Sequence, residues 1–412
     1  MELYYSFSVL IVLASLFAYI NHRFLKLPPT IGIMLIAIIA SIIVRVAGNR
    51  IFPETSEELI SLISGFDFTE VLMNAMLNFL LFAGAIHINF ANLKEQYLPV
   101  ITFSTISVVI STFVIAGIVY YVSGLFGIEI TFIYCLLFGA LISPTDPIAV
   151  LGILKKTNVP KSLETKIAGE SLFNDGVAVV LFAVILQLAQ SPSTEFTAGT
   201  VAWLLAEEAI GGLLLGVVLG FTASKAIKKI DDYIISVLIT ISVVMGGHLI
   251  AQAMHISGPL TMVAAGILIG NYGKKVAMSP ITKDYLNKFW ELIDEILNAI
   301  LFLFIGFELL LIPNIESYWA ISTVTIFIVL FARLLSIWLP SIIIPFKEKF
   351  SRGTIAILVW GGLRGGVSIA LALSVGSGAH KELILEMTYF VVVFSVIVQG
   401  LTVGRLTKRA LA

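Results

Sequence analysis

Charged residues are scarce in this sequence, and their scarcity excludes a soluble globular protein. Asp, Glu, Lys and Arg make up 12% of the 412 residues, whereas 58% are hydrophobic, and the mean hydropathy is +1.03. A soluble domain needs more charge to cover its surface, so most of this chain must face lipid or other buried helices. The net charge of −1 provides no basic field for nucleic acid, which is therefore not expected as a partner.

The sequence also has only one cysteine, no basic residue before its first apolar segment and no nucleotide-binding motif. The single cysteine, Cys135, lies in an apolar run, which excludes a disulfide framework and a cysteine metal site. No basic residue precedes the apolar segment 1–20, so we expect a retained helix rather than a secretory signal. No glycine-rich loop leads into a phosphate-binding lysine, so nucleotide-driven pumping has no support and no cofactor is expected.

Long apolar stretches dominate what is present, and they predict an all-α, polytopic membrane protein. A bilayer core takes roughly 20 helical residues to cross. Thirteen stretches approach or exceed that length: 4–21, 30–47, 70–89, 98–122, 130–154, 165–190, 200–224, 233–252, 257–272, 289–312, 317–340, 353–376 and 384–404. Most of the 25 Lys and Arg residues fall in alternate connections. Because cytoplasmic loops collect these residues, we expect the N-terminus outside and the C-terminus in the cytoplasm.

Two of the predicted helices are interrupted at matching places. The fifth contains Ser-Pro-Thr-Asp-Pro at 143–147, and the twelfth contains Trp-Gly-Gly-Leu-Arg-Gly-Gly at 360–366. Interrupted segments at corresponding positions of inverted halves indicate a transporter binding site. We therefore predict two inverted six-helix repeats, 1–192 and 229–412, joined by a linker helix at 193–228, with the broken helices crossing near the midplane. The alternative is a proline kink and an unrelated glycine-rich packing face.

We single out five charged residues within the predicted spans, where charge is costly and usually functional: Asp146, Glu170, Asp175, Arg333 and Arg364. Asp146 and Arg364 stand in the two interruptions, with the signs needed to neutralise opposed helix-dipole ends. On the sixth helix, Ser171 shares a face with Asp175. A buried carboxylate must bind a proton or a small cation. Because the two compete, such a site predicts cation/proton exchange, unless these acids are only structural partners of the arginines.

Four runs together resemble the NhaP-type sodium/proton antiporters, the branch that includes the eukaryotic exchangers. They are Ser143-Pro-Thr-Asp-Pro, Gly169-Glu-Ser-Leu-Phe-Asn-Asp, Phe331-Ala-Arg-Leu and Gly361-Gly-Leu-Arg-Gly-Gly. The resemblance implies a thirteen-helix, inverted-repeat homodimer in a prokaryotic cell membrane, in which an ion-carrying core moves against a dimer domain.

The resemblance also implies roles for individual residues. Asp175 would carry cation or proton, with Asp146, Thr145, Ser171 and Asn174 completing the cation/proton-binding site. Glu170 would pair with Arg333, and Asn174 is associated with electroneutral exchange. The sequence departs from many relatives at Ala83, near which they place a glutamate in the third helix.

Three functions compete at this point. The first is exchange of sodium or lithium for protons, and the second is potassium/proton exchange or cation-coupled solute transport on the same scaffold. The third is a membrane aspartyl enzyme that uses Asp146 and Asp175 as an acid/base pair. An enzyme of that kind usually has a Gly-x-Gly-Asp setting, which this sequence lacks, so the protein is not expected to be an enzyme.

Overall fold

Helices account for almost all of the regular structure in the computed structural model, which describes residues 2–48, 68–154, 159–190, 198–312, 317–376 and 380–411. In chain order the longer helices and the halves of the broken ones are α1 (Glu2–Ile20), α2 (Pro29–Ile43), α3 (68–87), α4 (Tyr97–Leu125), α5a (Phe132–Ile142), α5b (Ile148–Leu154), α6 (Lys161–Gln190), α7 (Ala198–Ile230), α8 (Tyr233–Ala253), α9 (258–276), α10 (Pro280–Leu311), α11 (Trp319–Ile343), α12a (Arg352–Trp360), α12b (Gly366–Ser374) and α13 (Lys381–Leu411). A short helix, Phe90–Glu95, connects α3 to α4. Within the described ranges no strand is present, and the all-α prediction is confirmed.

Every predicted apolar stretch coincides with one of these helices. Nine helices of the described chain are long and apolar enough to cross a membrane: α1 to α4, α6 to α8, α11 and α13. The two broken helices fall outside this set because each half is short. The total of thirteen crossings therefore stays a prediction, and the predicted boundary at 192/193 lies outside the described residues.

Local sequence signals begin several helices. Ser257, Ser279 and Ser351 cap α9, α10 and α12a, and each side-chain oxygen accepts a hydrogen bond from a backbone N–H of the first turn. Proline follows within the first two positions of α9 and α10, where its missing N–H has no intrahelical partner to lose. These caps place the helix starts near the ends of the apolar stretches.

Small residues allow two equivalent pairs of helices to pack closely. α2 packs on α10, and α9 packs on α3. Under the predicted repeat, in which each helix corresponds to the one seven places later, α2 corresponds to α9 and α3 corresponds to α10. The two packed pairs are therefore equivalent. In the first pair Gly306 lies against Ala37, and a Cβ added at Gly306 would stand 2.9 Å from the Met34 carbonyl oxygen. In the second, a Cβ at Gly266 would stand 2.7 Å from the Ala85 Cβ. This correspondence supports the predicted inverted repeats.

Three glycines spaced four residues apart on α7, Gly212, Gly216 and Gly220, form a stripe that packs against α9 of the same chain. Thr261 donates a hydrogen bond from Oγ1 to the Gly212 carbonyl at 3.0 Å. A Cβ at Gly216 would lie 2.7 Å from the Ala264 Cβ, and one at Gly220 would lie 3.1 Å from the Ala265 carbonyl oxygen. Small residues in membranes serve this kind of close backbone approach, so the stripe belongs to the intramolecular interface.

Gly306→Ala should destabilise the protein by about 1–3 kcal/mol, because the added methyl group overpacks the α2–α10 contact. Gly117→Ala in α4 is the matched control, since nothing lies within 4 Å of a Cβ built there. Thermal unfolding in detergent should show a lower melting temperature for the first variant alone. Equal melting temperatures would mean that this contact has room to relax.

Candidate functional site

The two broken helices meet through their backbones. The Asp146 N–H donates to the Leu363 carbonyl oxygen at 2.8 Å, which forms an isolated antiparallel bridge between the interruptions. Gly365 has no side chain where a Cβ would collide with the Asp146 carboxylate. Irregular backbone at membrane depth is tolerated only when buried in protein or beside a water-filled cavity, and this pairing satisfies part of it.

Charge compensates the helix ends at the crossing. Arg364 is buried, with 2% of its surface exposed, and its Nη1 donates to the Pro144 carbonyl oxygen just beyond α5a at 3.2 Å. Its backbone N–H donates to Ser395 Oγ at 2.8 Å. The Asp146 carboxylate lies beside Gly365, the residue that precedes α12b. A cation near a helix C-terminus and an anion near an N-terminus are both favourable.

A chain of polar side chains links α6 to the interruption of α5. Asn174 donates from Nδ2 to Thr145 Oγ1 at 2.8 Å, and Thr145 Oγ1 lies 3.1 Å from Ser171 Oγ. All three residues are buried. The structure therefore brings together the hydroxyl and amide groups that the sequence places in the ion site, and it fixes the Thr145 loop to α6.

Glu170 and Arg333 form a buried ion pair at 2.5 Å, with side-chain exposures of 2% and 6%. Arg333 Nη2 also donates to the Leu358 carbonyl oxygen at the end of α12a at 3.0 Å. A Cβ on Gly362 would stand 2.6 Å from Arg333 Nε, so the glycine lets the guanidinium approach the α12 interruption. This pair connects α6, α11 and α12.

Asp146, Ser171 and Asp175 line one cavity of about 250 Å³ beside the crossing. Asp146 and Asp175 are partly exposed there. Thr145 and Asn174 stand behind this wall rather than on it. Lining residues of α3 and α6 lie toward the helix ends predicted to face the cytoplasm.

The α10 part of the lining contains polar residues that sequence reasoning missed. Asp294, Glu295 and Asn298 of α10 line the same cavity. A sequence pattern could have revealed these residues. The two acids interrupt the apolar stretch 289–312, and Asp294 and Asn298 lie one helical turn apart on it. The α3 part of the wall is apolar, and Ala83 is fully buried outside the lining.

The set of five intramembrane charges was also incomplete. Glu308 of α10 and Glu386 of α13 are only 1% and 2% exposed. Glu308 lies near the end of the predicted stretch 289–312, and its burial shows that this end is packed inside the protein. Lys166, near the start of the predicted stretch 165–190, is 5% exposed and pairs with Glu348 at 3.0 Å. An apolar stretch alone does not reveal how deeply its ends are packed.

The two broken helices, their paired interruptions and the carboxylates beside them define a polytopic membrane transporter. The fold as a whole is similar to the solved structure of the sodium proton antiporter MjNhaP1 from Methanocaldococcus jannaschii, with a TM-score of 0.79, 23% identity and 100% of each chain covered.

Sequence comparison then identifies the family. The profile described as sodium/hydrogen exchanger, transmembrane, matches residues 11–409. The chain is 48% identical over 410 residues to the Na(+)/H(+) antiporter NhaP of Pseudomonas aeruginosa, covering 98% of this chain and 96% of that one. It is 34% identical to the Na(+)/H(+) antiporter NhaH of Halobacillus dabanensis, covering 94% and 93%. The protein belongs to the sodium/hydrogen exchanger family, a family of transporters, and the recognition made from its motifs is confirmed.

Glu170→Ala should lower stability by about 3–5 kcal/mol, because Arg333 would keep a buried charge without its partner. Thermal unfolding in detergent should show a large fall in melting temperature. Asp284→Ala removes the acid of a second pair, in which Lys288 lies 2.7 Å away and both side chains are more than half exposed. This control should melt close to the unsubstituted protein. A normal melting temperature for Glu170→Ala would contradict a stabilising role for the buried pair.

Proposed function

We propose that this protein is a secondary active antiporter that exchanges sodium or lithium for protons across the membrane. The observation that carries the proposal is the convergence of Asp146 and Asp175 on one cavity beside the crossing of the two broken helices. The names of its relatives, Na(+)/H(+) antiporters from bacteria, support the same assignment. Sodium, lithium and protons are substrates here, and no cofactor takes part.

Competition at Asp175 would couple the two ions. Burial disfavours a bare carboxylate, so Asp175 is neutralised either by a proton or by a cation. Asp146 adds negative charge on the same wall, and Ser171 adds a neutral oxygen. A cation bound between these groups raises the cost of protonating either carboxylate, and a proton removes the charge that holds the cation. Opening such a site alternately to each side exchanges one ion for the other.

The groups behind the wall have positioning roles in this proposal. Asn174 holds the Thr145 hydroxyl, and Thr145 in turn contacts Ser171. Thr145 also belongs to the ion site through the loop oxygens beside it. Glu170 with Arg333 and Arg364 with Pro144 keep the two interruptions together, so that the carboxylates move as one unit.

Several expectations from sequence complete the proposal. The molecule would be a homodimer in a prokaryotic cell membrane, with its N-terminus outside and its C-terminus in the cytoplasm. Residues 1–192 and 229–412 would be the inverted repeats, joined by a linker helix at 193–228. The two packed pairs α2–α10 and α9–α3 support this division, because the repeat relation exchanges them.

Purified protein in liposomes should dissipate an imposed pH gradient when sodium is added. Asp175→Asn should abolish this response while melting normally, because the neutral amide cannot exchange a proton for a cation. Asp175→Glu should retain some transport with an altered apparent affinity. A pH-sensitive dye records the rate, and the assay repeated with lithium and potassium tests the potassium/proton alternative.

Asp284→Asn is the control for the lost carboxylate, since Asp284 is exposed at the start of α10 and lies outside the cavity. It should transport at the normal rate. Full activity of Asp175→Asn would remove Asp175 from the mechanism, and a response to potassium alone would replace sodium as the substrate.

Exchange should be electroneutral, with one cation moving against one proton. Asn174 occupies the position next to Asp175 and is neutral, so the site offers no additional carboxylate there. Transport measured in liposomes with a potassium diffusion potential should keep the same rate at either polarity. A rate that follows the imposed potential would refute one-for-one exchange.

A further inference from the structure

Asn298 is a buried amide on the wall of the cavity that faces the two aspartates. It lies on α10, is 1% exposed, and lines the same space as Asp146 and Asp175. The nearby α3 wall is apolar, through Leu80 and Leu81. Asn298 is therefore a polar exception on a buried part of this wall.

Hydrogen bonds fix which end of the amide faces Asp294. Asn298 Nδ2 donates to the Asp294 carbonyl oxygen at 2.8 Å and to its Oδ1 at 3.1 Å. Turning the amide over would place its oxygen against these two acceptors, which is unfavourable. Asn298 Oδ1 is buried and has no hydrogen-bond partner among the described residues. An unpaired buried acceptor is costly, and the cavity that Asn298 lines is the space from which a ligand could reach this oxygen.

We infer that Asn298 Oδ1 is a further ligand of the transported cation, supplied by α10 to the cavity that Asp146 and Asp175 line. The inference rests on the proposed function and adds a residue to its site. Amide oxygens are ligands for hard cations, and a cavity of about 250 Å³ has room for a cation with some of its water. The structure thus offers oxygen atoms from both walls of one cavity.

A neutral ligand affects the two competing ions differently. The amide oxygen attracts a metal cation, but it does not take up a proton near neutral pH, so it raises cation affinity without raising proton affinity. α10 packs with α1, α2, α3 and α8 and makes a smaller contact with α12b, whereas Asp146 and Asp175 belong to the α5 interruption and to α6. Movement between these helix groups would separate Asn298 from the carboxylates. The ligand is then present only while the aspartates face α10.

The test is sodium-driven transport by Asn298→Ala and Asn298→Leu in proteoliposomes. Both variants remove the oxygen, and the two side chains differ in bulk, so a packing defect in one does not decide the result. The apparent KM for sodium should rise about tenfold, the change expected for loss of one net interaction. The maximal rate should stay near normal because Asp146 and Asp175 are intact. The rise in melting temperature produced by sodium should require correspondingly more sodium.

Asn287→Ala and Asn287→Leu are the matched controls. Asn287 lies on the same helix and also has a buried Oδ1 without a partner in the described structure, but it does not line the cavity. These controls should keep the normal KM. An unchanged KM in both Asn298 variants, or an equal rise in the Asn287 variants, would overturn the inference. If the unsubstituted protein fails to respond to sodium, the proposed function itself fails, which is a separate result.

Discussion

Backbone groups left without helical partners at membrane depth are the constraint on which this structure depends. Pro144 and Pro147 lack N–H groups, and the glycines around Arg364 lower the cost of leaving the helix. Lipid cannot satisfy the exposed groups. The two interruptions therefore pair with each other, through the Asp146 N–H and the Leu363 carbonyl, and Arg364 takes the carbonyl of Pro144. Breaking the helices creates the site, and crossing them makes the break tolerable.

The two acidic residues in the middle of α6, Glu170 and Asp175, have different surroundings. Glu170 has a dedicated base in Arg333, and its pairing ties three helices together. Asp175 lies five residues further along the helix and faces a cavity that holds other carboxylates. Of the two acids, Asp175 is therefore the one to which the proposed mechanism assigns the exchange of one neutralising ion for another.

The sequence predicted those features that a single helix or motif encodes. The interruptions at 143–147 and 360–366 could be read from proline and glycine, and the face shared by Ser171 and Asp175 from helical spacing. The contribution of α10 to the cavity could not be predicted in this way. It depends on packing between distant segments of the chain, which decides the helix that shares a cavity with Asp175. Gly306 and Gly266 decide that packing, yet in sequence they look like ordinary small residues of apolar helices. Asp294 and Asn298 lie inside an apolar stretch, and their positions in sequence do not show which cavity they line.

The two walls of the cavity differ in how firmly their polar groups are held. Ser171 is fixed by the hydroxyl and amide network that runs through Thr145 to Asn174, so the α6 wall moves together with the α5 interruption. Asn298 is fixed only within its own helix, by Asp294 one turn away, and no hydrogen bond of the described residues joins it to α6. A cation bound between the walls would therefore bridge two helix groups that are otherwise linked here by apolar contacts, such as Leu301 against Gly366. In the proposed mechanism, occupancy of the site and the relative position of the two groups would be coupled, because the ligand set would be complete in only one of their positions.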